Sequence, residues 1–318
     1  MTEASGIVSG RTNSEQVMKV QDRLREGPPL LLDGATGTEL NRRGVGTELP
    51  MWSAKALLEA PDVLRAVHHD YVLAGAEIIT ANTFRTHRRS LAAAGYGDKA
   101  NLLTYKAVEL ARVAIHDALP RNGGKVYVAG SIAPLEDCYS PRLVPDSEIL
   151  SAEHYEMATA LADAGADLLL VETMNTIREA AVASEVAIAT GLPVMASFVC
   201  GRDGRLLSGE SIRVAADKLS SCGVDAILLN CVAAPDLSVG LAMLASATDL
   251  PIGGYGNVGY ADKMHGWVNT DSVDPHAYAV HAERWMDMGA RIIGSCCGTG
   301  PGHTEELRAR IDAREYCW

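Results

Sequence analysis

The chain has 318 residues, 47% of them hydrophobic, enough to bury the core of one large α/β domain. Forty acidic residues against 28 basic ones give a formal net charge of −12, which argues against a nucleic-acid surface, since that needs a basic patch. No run of roughly 18 apolar residues occurs and the N-terminus lacks an apolar signal core, so the sequence predicts a cytoplasmic protein with small-molecule substrates and no membrane partner.

Residues 1–13 are small and polar and read as a flexible tail, leaving 14–318 as a single domain. Ser14 is placed to cap a short helix carrying Val17, Val20 and Leu24, ended by Gly27 and Pro28. Strand-length apolar runs then follow at 30–32, 78–81, 126–130, 168–171, 194–199, 226–229, 252–255 and 292–294. They are nearly continuous rather than alternating, as parallel strands buried on both faces should be. Between them lie helical patterns such as the one opened by Pro61 and carrying Val63, Leu64, Val67 and Tyr71. The exits repeat: Gly75-Ala-Glu77, Gly165-Ala-Asp167, Gly223-Val-Asp225 and Gly289-Ala-Arg291 each precede a strand. Eight βα units predict a (β/α)₈ TIM barrel, with an open doubly wound sheet as the alternative.

Active sites of such barrels lie at the C-terminal strand ends. Strand one runs into Asp33-Gly34-Ala35, strand two into Asn82-Thr83-Phe84 and strand four into Glu172-Thr173. The fifth ends at Cys200, the sixth at Asn230-Cys231 and the eighth at Cys296-Cys297-Gly298. Three thiolates from Cys231, Cys296 and Cys297 suit a tetrahedral Zn²⁺ with one position open. Cys200 is either a fourth ligand or wall packing, and Cys222 reads as a buried small hydrophobe. Cys138 and Cys317 fall in a loop and at the terminus with no visible partner. Glu172, behind Leu-Leu-Leu-Val, would be a buried carboxylate in need of a partner such as a ligand ammonium. Asp33 is followed by two glycines, Gly34 and Gly37, which let a ligand approach the backbone closely. His265 reads as ordinary surface. Gly254-Tyr-Gly256-Asn-Val-Gly259 mimics a dinucleotide fingerprint, but no helical pattern follows it, so it reads as a loop at the barrel mouth.

Together Asp33-Gly-Ala-Thr-Gly-Thr-Glu-Leu40, Ala81-Asn-Thr-Phe84, Val171-Glu-Thr173, Asn230-Cys231 and Gly294-Ser-Cys-Cys-Gly-Thr-Gly-Pro301 resemble the homocysteine S-methyltransferase family. The resemblance implies a zinc barrel that methylates homocysteine to methionine. It assigns Zn²⁺ to Cys231, Cys296 and Cys297, which thereby activate the substrate thiol. Asp33, the backbone around Gly34 and Ala35, and Glu172 would hold the amino-acid end, with Asn82 and Thr83 lining the same pocket. The segment 253–259 differs from the strand-seven loops associated with that family, which opens the question of the methyl donor.

A sulfonium donor, S-methylmethionine or S-adenosylmethionine, is the expectation. Betaine would call for an aromatic cage, and the chain has only four Trp and two Phe, although Tyr255, Tyr260 and Trp267 surround the strand-seven segment. A selenocysteine or other small-thiol acceptor is the second reading. A non-catalytic barrel with structural zinc is the third, and it would need Cys200 to complete a four-thiolate site.

Overall fold

The computed structural model describes residues 19–118, 124–262 and 264–314. The predicted tail, Ser14, Val17 and Cys317 lie outside these residues, whereas Val20 and Leu24 belong to a helix, Val20–Arg25. Seven parallel strands follow: β1 (Leu30–Leu31), β2 (Ile78–Thr80), β3 (Tyr127–Ile132), β4 (Leu168–Met174), β5 (Val194–Phe198), β6 (Ala226–Ala233) and β7 (Ile252–Asn257). An antiparallel hairpin of β8 (Gly259–Asp262) and β9 (Gly266–Asn269) separates them from the eighth barrel strand, β10 (Ala290–Ser295). The order round the sheet is β1-β10-β7-β6-β5-β4-β3-β2. A parallel bridge between Leu32 and Ile78 joins its two ends, so the strands form a (β/α)₈ barrel rather than an open sheet.

The apolar runs are continuous because both strand faces are covered. Leu30, Ile78, Leu168, Leu170, Ala226 and Leu228 pack inside the barrel, while their chain neighbours Leu31, Ile79, Leu169 and Ile227 pack outward against the helices. Val20 and Leu24 join the inner cluster, where their helix packs against the barrel interior. Arg291 fixes that helix by donating to the carbonyls of Leu24 and Gly27 at 3.1 and 2.6 Å.

The repeated exit has a physical basis. Gly75, Gly165, Gly223 and Gly289 all adopt positive φ, between 85° and 100°, and end their helices there. After the first three, the acid two residues later accepts from a backbone N–H of the strand next door. Glu77 serves Leu31 of β1, Asp167 serves Val128 of β3 at 2.7 Å, and Asp225 serves Val194 of β5 at 2.8 Å. Each carboxylate thus satisfies a donor at the start of an odd-numbered strand.

The glycine motif at 254–259 is corrected by the structure. It is not a mouth loop but β7 running straight into the hairpin. A Cβ on Gly256 would lie 3.0 Å from the Ala234 Cα and 3.2 Å from the Val232 carbonyl, so the bare residue serves close packing of β7 on β6. No helix opens there, which removes any basis for a dinucleotide fingerprint. Among the described residues no helix is long and apolar enough to cross a membrane.

Asp225→Ala would orphan the Val194 N–H. A stability loss of about 1–3 kcal/mol is expected, read from a denaturant midpoint. An unchanged midpoint would mean that water replaces the carboxylate without cost.

Candidate functional site

The C-terminal strand ends surround one cavity of about 440 Å³, and the candidate residues Asp33, Gly34, Ala35, Asn82, Glu172, Cys231, Cys296 and Cys297 all line it. Thr83 does not. Its hydroxyl donates to the Ser131 carbonyl at 2.8 Å and accepts from the Ser131 N–H at 3.1 Å, which turns it away from the cavity. Asn82 lines the wall but is engaged with Ser53, accepting from its hydroxyl at 2.6 Å and donating to its carbonyl at 2.8 Å. It therefore fixes the segment that presents Trp52 to the cavity.

Cys231 comes from β6, and Cys296 and Cys297 directly follow β10, with β7 between the two strands. Their sulfurs converge: Cys231 Sγ lies 3.3 Å from Cys296 Sγ, which lies 3.9 Å from Cys297 Sγ, and all three fall within 4.8 Å of one another. Thiolates on one tetrahedral zinc, at about 2.3 Å each, sit roughly 3.8 Å apart, so the trio fits such an ion closely. Crowding also separates the three thiols chemically. Hydrogen bonds from Cys231 and Cys296 hold the Cys297 thiol well below its usual pKa, whereas Cys296 is pushed well above by the same contacts and by burial. Three adjacent sulfurs cannot all carry charge without a cation between them.

Cys200 is excluded from this cluster. It is 3% exposed in the outer wall, and a Cβ on Gly240 would lie 2.9 Å from its sulfur. Among the described residues no fourth Cys, His or carboxylate joins the trio, which leaves a coordination position open.

The trio is held by residues to which the sequence assigned no role. Asn257 Oδ1 accepts from the Cys297 N–H at 3.0 Å, and the Gly256 carbonyl accepts from the Cys296 N–H at 2.7 Å. Arg42 donates to the Gly298 and Thr299 carbonyls, and Thr38 accepts from the Gly298 N–H at 3.0 Å, so the helix after Asp33 clamps the cysteine loop. Asn230 accepts from the Thr173 N–H at 3.1 Å and donates to its hydroxyl at 2.8 Å. Three described non-glycine residues have positive φ, Trp52 at 47°, Thr173 at 62° and Cys231 at 55°, and all three line the cavity. Backbone strain is thus concentrated where ligands must bind.

Two carboxylates face the same space. Asp33 accepts from the Thr80 N–H at 2.8 Å and from its hydroxyl at 2.9 Å. Burial nevertheless pushes its pKa up to about 8, with the nearby Glu172 charge adding to the effect. Glu172 is not orphaned as expected from its apolar flank: Ser131 Oγ donates to one oxygen and the Tyr255 hydroxyl to the other, at 3.1 Å. Burial still raises it to about 7. Both donors are neutral, so a ligand ammonium remains the partner that would keep the pair ionised.

Five aromatic side chains, Trp52, Phe84, Tyr139, Tyr255 and Trp267, also line the cavity. Tyr255 and Trp267 were already visible beside the strand-seven segment, whereas nothing in the sequence brought Trp52, Phe84 and Tyr139 to the same place. Cys138, expected to lack a partner, lies in the cavity wall within the field of Cys231, next to Tyr139 of the same wall.

A profile of the family described as homocysteine S-methyltransferase matches residues 30–311. The selenocysteine Se-methyltransferase of Brassica oleracea var. italica is 30% identical over 97% of this chain and 96% of its own length. The homocysteine S-methyltransferase of Escherichia coli (strain K12) is 33% identical over 88% of this chain and 94% of its own. A crystal structure of the homocysteine methyltransferase MmuM from Escherichia coli, in its metallated form, superposes with a TM-score of 0.80 at 34% identity, covering 90% of this chain and 98% of that one.

An acid whose folded pKa is raised contributes stability that is complete below its unfolded value and is lost as pH climbs through the folded one. For Asp33 that window runs from about pH 4 to about pH 8. Asp33→Asn removes the loss while keeping one acceptor for Thr80. The ligand-free variant should therefore gain in Tm relative to the parent protein across that window, and parallel Tm profiles would contradict the assignment.

Proposed function

The chain belongs to the homocysteine S-methyltransferase family, and on that premise we propose that it transfers a methyl group from a small sulfonium to the thiol of homocysteine, forming methionine, with Zn²⁺ held by Cys231, Cys296 and Cys297. The observation that carries this reading is the sulfur trio, which suits a dication with one position left for a substrate thiol. Zinc bound there would supply a deprotonated substrate sulfur at neutral pH, where a free thiol with a pKa of about 8.5 is mostly protonated.

The remaining work falls to the protein. Asp33 and Glu172, held by Thr80, Ser131 and Tyr255, take the ammonium of homocysteine and become fully ionised as they do so. The backbone at Gly34 and Ala35 borders the same end of the cavity, beside the clamped cysteine loop. Aromatic side chains of the cavity accept the cationic methyl donor and keep water away from the transfer. A lone pair on the homocysteine sulfur forms the new bond to the methyl carbon. The carbon–sulfonium bond breaks, its electron pair stays on the departing sulfur as a neutral thioether, and the thiol proton goes to solvent. S-methylmethionine would thus yield two molecules of methionine. We place the enzyme in the cytoplasm, where a reducing milieu keeps such thiols free.

A selenol acceptor is the second reading, favoured by the similarity to the Brassica selenocysteine enzyme. The same thiolate site and the same ammonium clamp would serve it, so an acceptor panel decides between them.

Replacing Cys297 by Ser should abolish turnover and cut the bound zinc from about one per chain to well below half, while Cys222→Ser should change neither. Full zinc occupancy in the Cys297→Ser protein would remove that residue from the metal site. Glu172→Gln should raise the KM for homocysteine about tenfold or more, as expected for loss of a buried charge pairing; an unchanged KM would place the ammonium elsewhere. Among donors, S-methylmethionine should outpace S-adenosylmethionine, and betaine should give no methionine, because an amine is a poorer leaving group than a thioether. Faster methionine formation from betaine than from either sulfonium would refute that order.

A further inference from the structure

The cavity is lined by three carboxylates, Asp33, Asp137 and Glu172, and by a single described cation, Arg85. Nothing in the metal chemistry or the ammonium clamp uses that guanidinium. Arg85 is half-buried, its Nη1 makes only a long contact of 3.4 Å to Ser90 Oγ, and its Cζ sits 5.6 Å from the centre of the Phe84 ring. No carboxylate of the described residues lies within ion-pair distance of it, although the chain carries twelve more acidic than basic charges. The neighbouring arginines behave differently: Arg88 pairs with Glu156, and Arg89 with both Glu153 and Glu136. A partly desolvated guanidinium without an anion is costly to maintain unless a ligand supplies one.

Its position selects which ligand. Phe84 also packs edge-on against Trp52 at 5.5 Å, so Arg85 caps an aromatic wall of the cavity. Arg85 follows β2, and its charge acts on Cys138, another residue of the cavity wall. An aromatic surface for an onium methyl group and an unpaired cation beyond it together describe a zwitterion in which a carboxylate is joined to a sulfonium by a short chain.

We propose that Arg85 is a specificity-determining residue that binds the carboxylate of the methyl donor, so that the enzyme selects sulfonium carboxylates over sulfonium cations lacking that group. This rests on the methyl-transfer reading above. A planar guanidinium can grip a carboxylate with two hydrogen bonds, and its loss removes both orientation and affinity for that substrate alone.

The test compares S-methylmethionine with its decarboxylated counterpart, (3-aminopropyl)dimethylsulfonium, each with saturating homocysteine and the zinc-loaded full-length protein. Arg85→Gln should raise the KM for S-methylmethionine about tenfold to a hundredfold, in line with loss of a charge-assisted pair. It should leave the KM for homocysteine and the rate with the decarboxylated donor within about twofold, a small change on the scale of such pairs. Arg85→Lys, which keeps the charge without the fork, should recover part of the loss. Equal losses with both donors, or a raised KM for homocysteine, would overturn the assignment, since the first marks a structural role and the second the wrong substrate. Unchanged kinetics with S-methylmethionine would overturn it while leaving the methyl-transfer reading intact. If the parent protein forms no methionine from either sulfonium, the methyl-transfer reading itself fails and this inference falls with it.

Discussion

The approach of Cys231 to Cys296, with sulfurs 3.3 Å apart, is the contact on which the rest of the site depends. Their strands, β6 and β10, are not neighbours, because β7 runs between them. Two strand spacings separate the backbones by roughly 9–10 Å, so the side chains must reach toward each other over the end of β7. Each local peculiarity serves that convergence. Cys231 takes a left-handed backbone, β6 and β7 shift register between Asn230 and Ala233, and Gly256 lacks the side chain that would hold β7 away from Ala234. Tyr278 then bonds to the carbonyls of Gly256 and Gly294 at 3.0 and 2.9 Å, locking β7 to β10 below the cysteines.

The same convergence brings the first strand into the site. The helix Thr36–Arg42, which begins three residues after Asp33, holds the carbonyls of the cysteine loop through Arg42 and its Gly298 N–H through Thr38. Two sequence motifs some 260 residues apart are thus one mechanical unit. Moving either would displace both the amino-acid clamp at Asp33 and the sulfurs at Cys296 and Cys297. The electrostatic design follows from this closeness. Two carboxylates and three thiols line one cavity, and they cannot all be anions at once until a cation arrives. A metal ion would relieve the sulfurs, and a substrate ammonium would relieve Asp33 and Glu172.

Much of this was legible in the sequence, and the failures are instructive. The eight strands stood out because apolar runs buried on both faces are continuous, and four glycine exits marked where the helices before four of them ended. The three cysteines were visible because each sits at a strand end beside a turn. Thr83 was misplaced because adjacency to Asn82 says nothing of side-chain direction, and successive residues near a strand end point to opposite sides. Glu172 looked partnerless because Ser131 and Tyr255 lie 41 and 83 residues away along the chain. The polar residues Thr80, Ser131 and Tyr255 do interrupt apolar strands, and a period-two reading of those strands would have pointed them at the barrel axis. The aromatic wall had no such signature. Trp52, Phe84, Tyr139 and Trp267 come from four separate connections between barrel strands, Trp267 from β9 of the hairpin, and only the closed barrel brings them together.

The central claim is that three thiolates hold zinc while a fourth position is kept for the substrate sulfur. X-ray absorption at the zinc edge measures it directly, by counting sulfur neighbours at about 2.3 Å before and after homocysteine is added. Three sulfurs and one lighter atom should become four sulfurs. Four sulfurs in the substrate-free protein, or a count that homocysteine leaves unchanged, would contradict it.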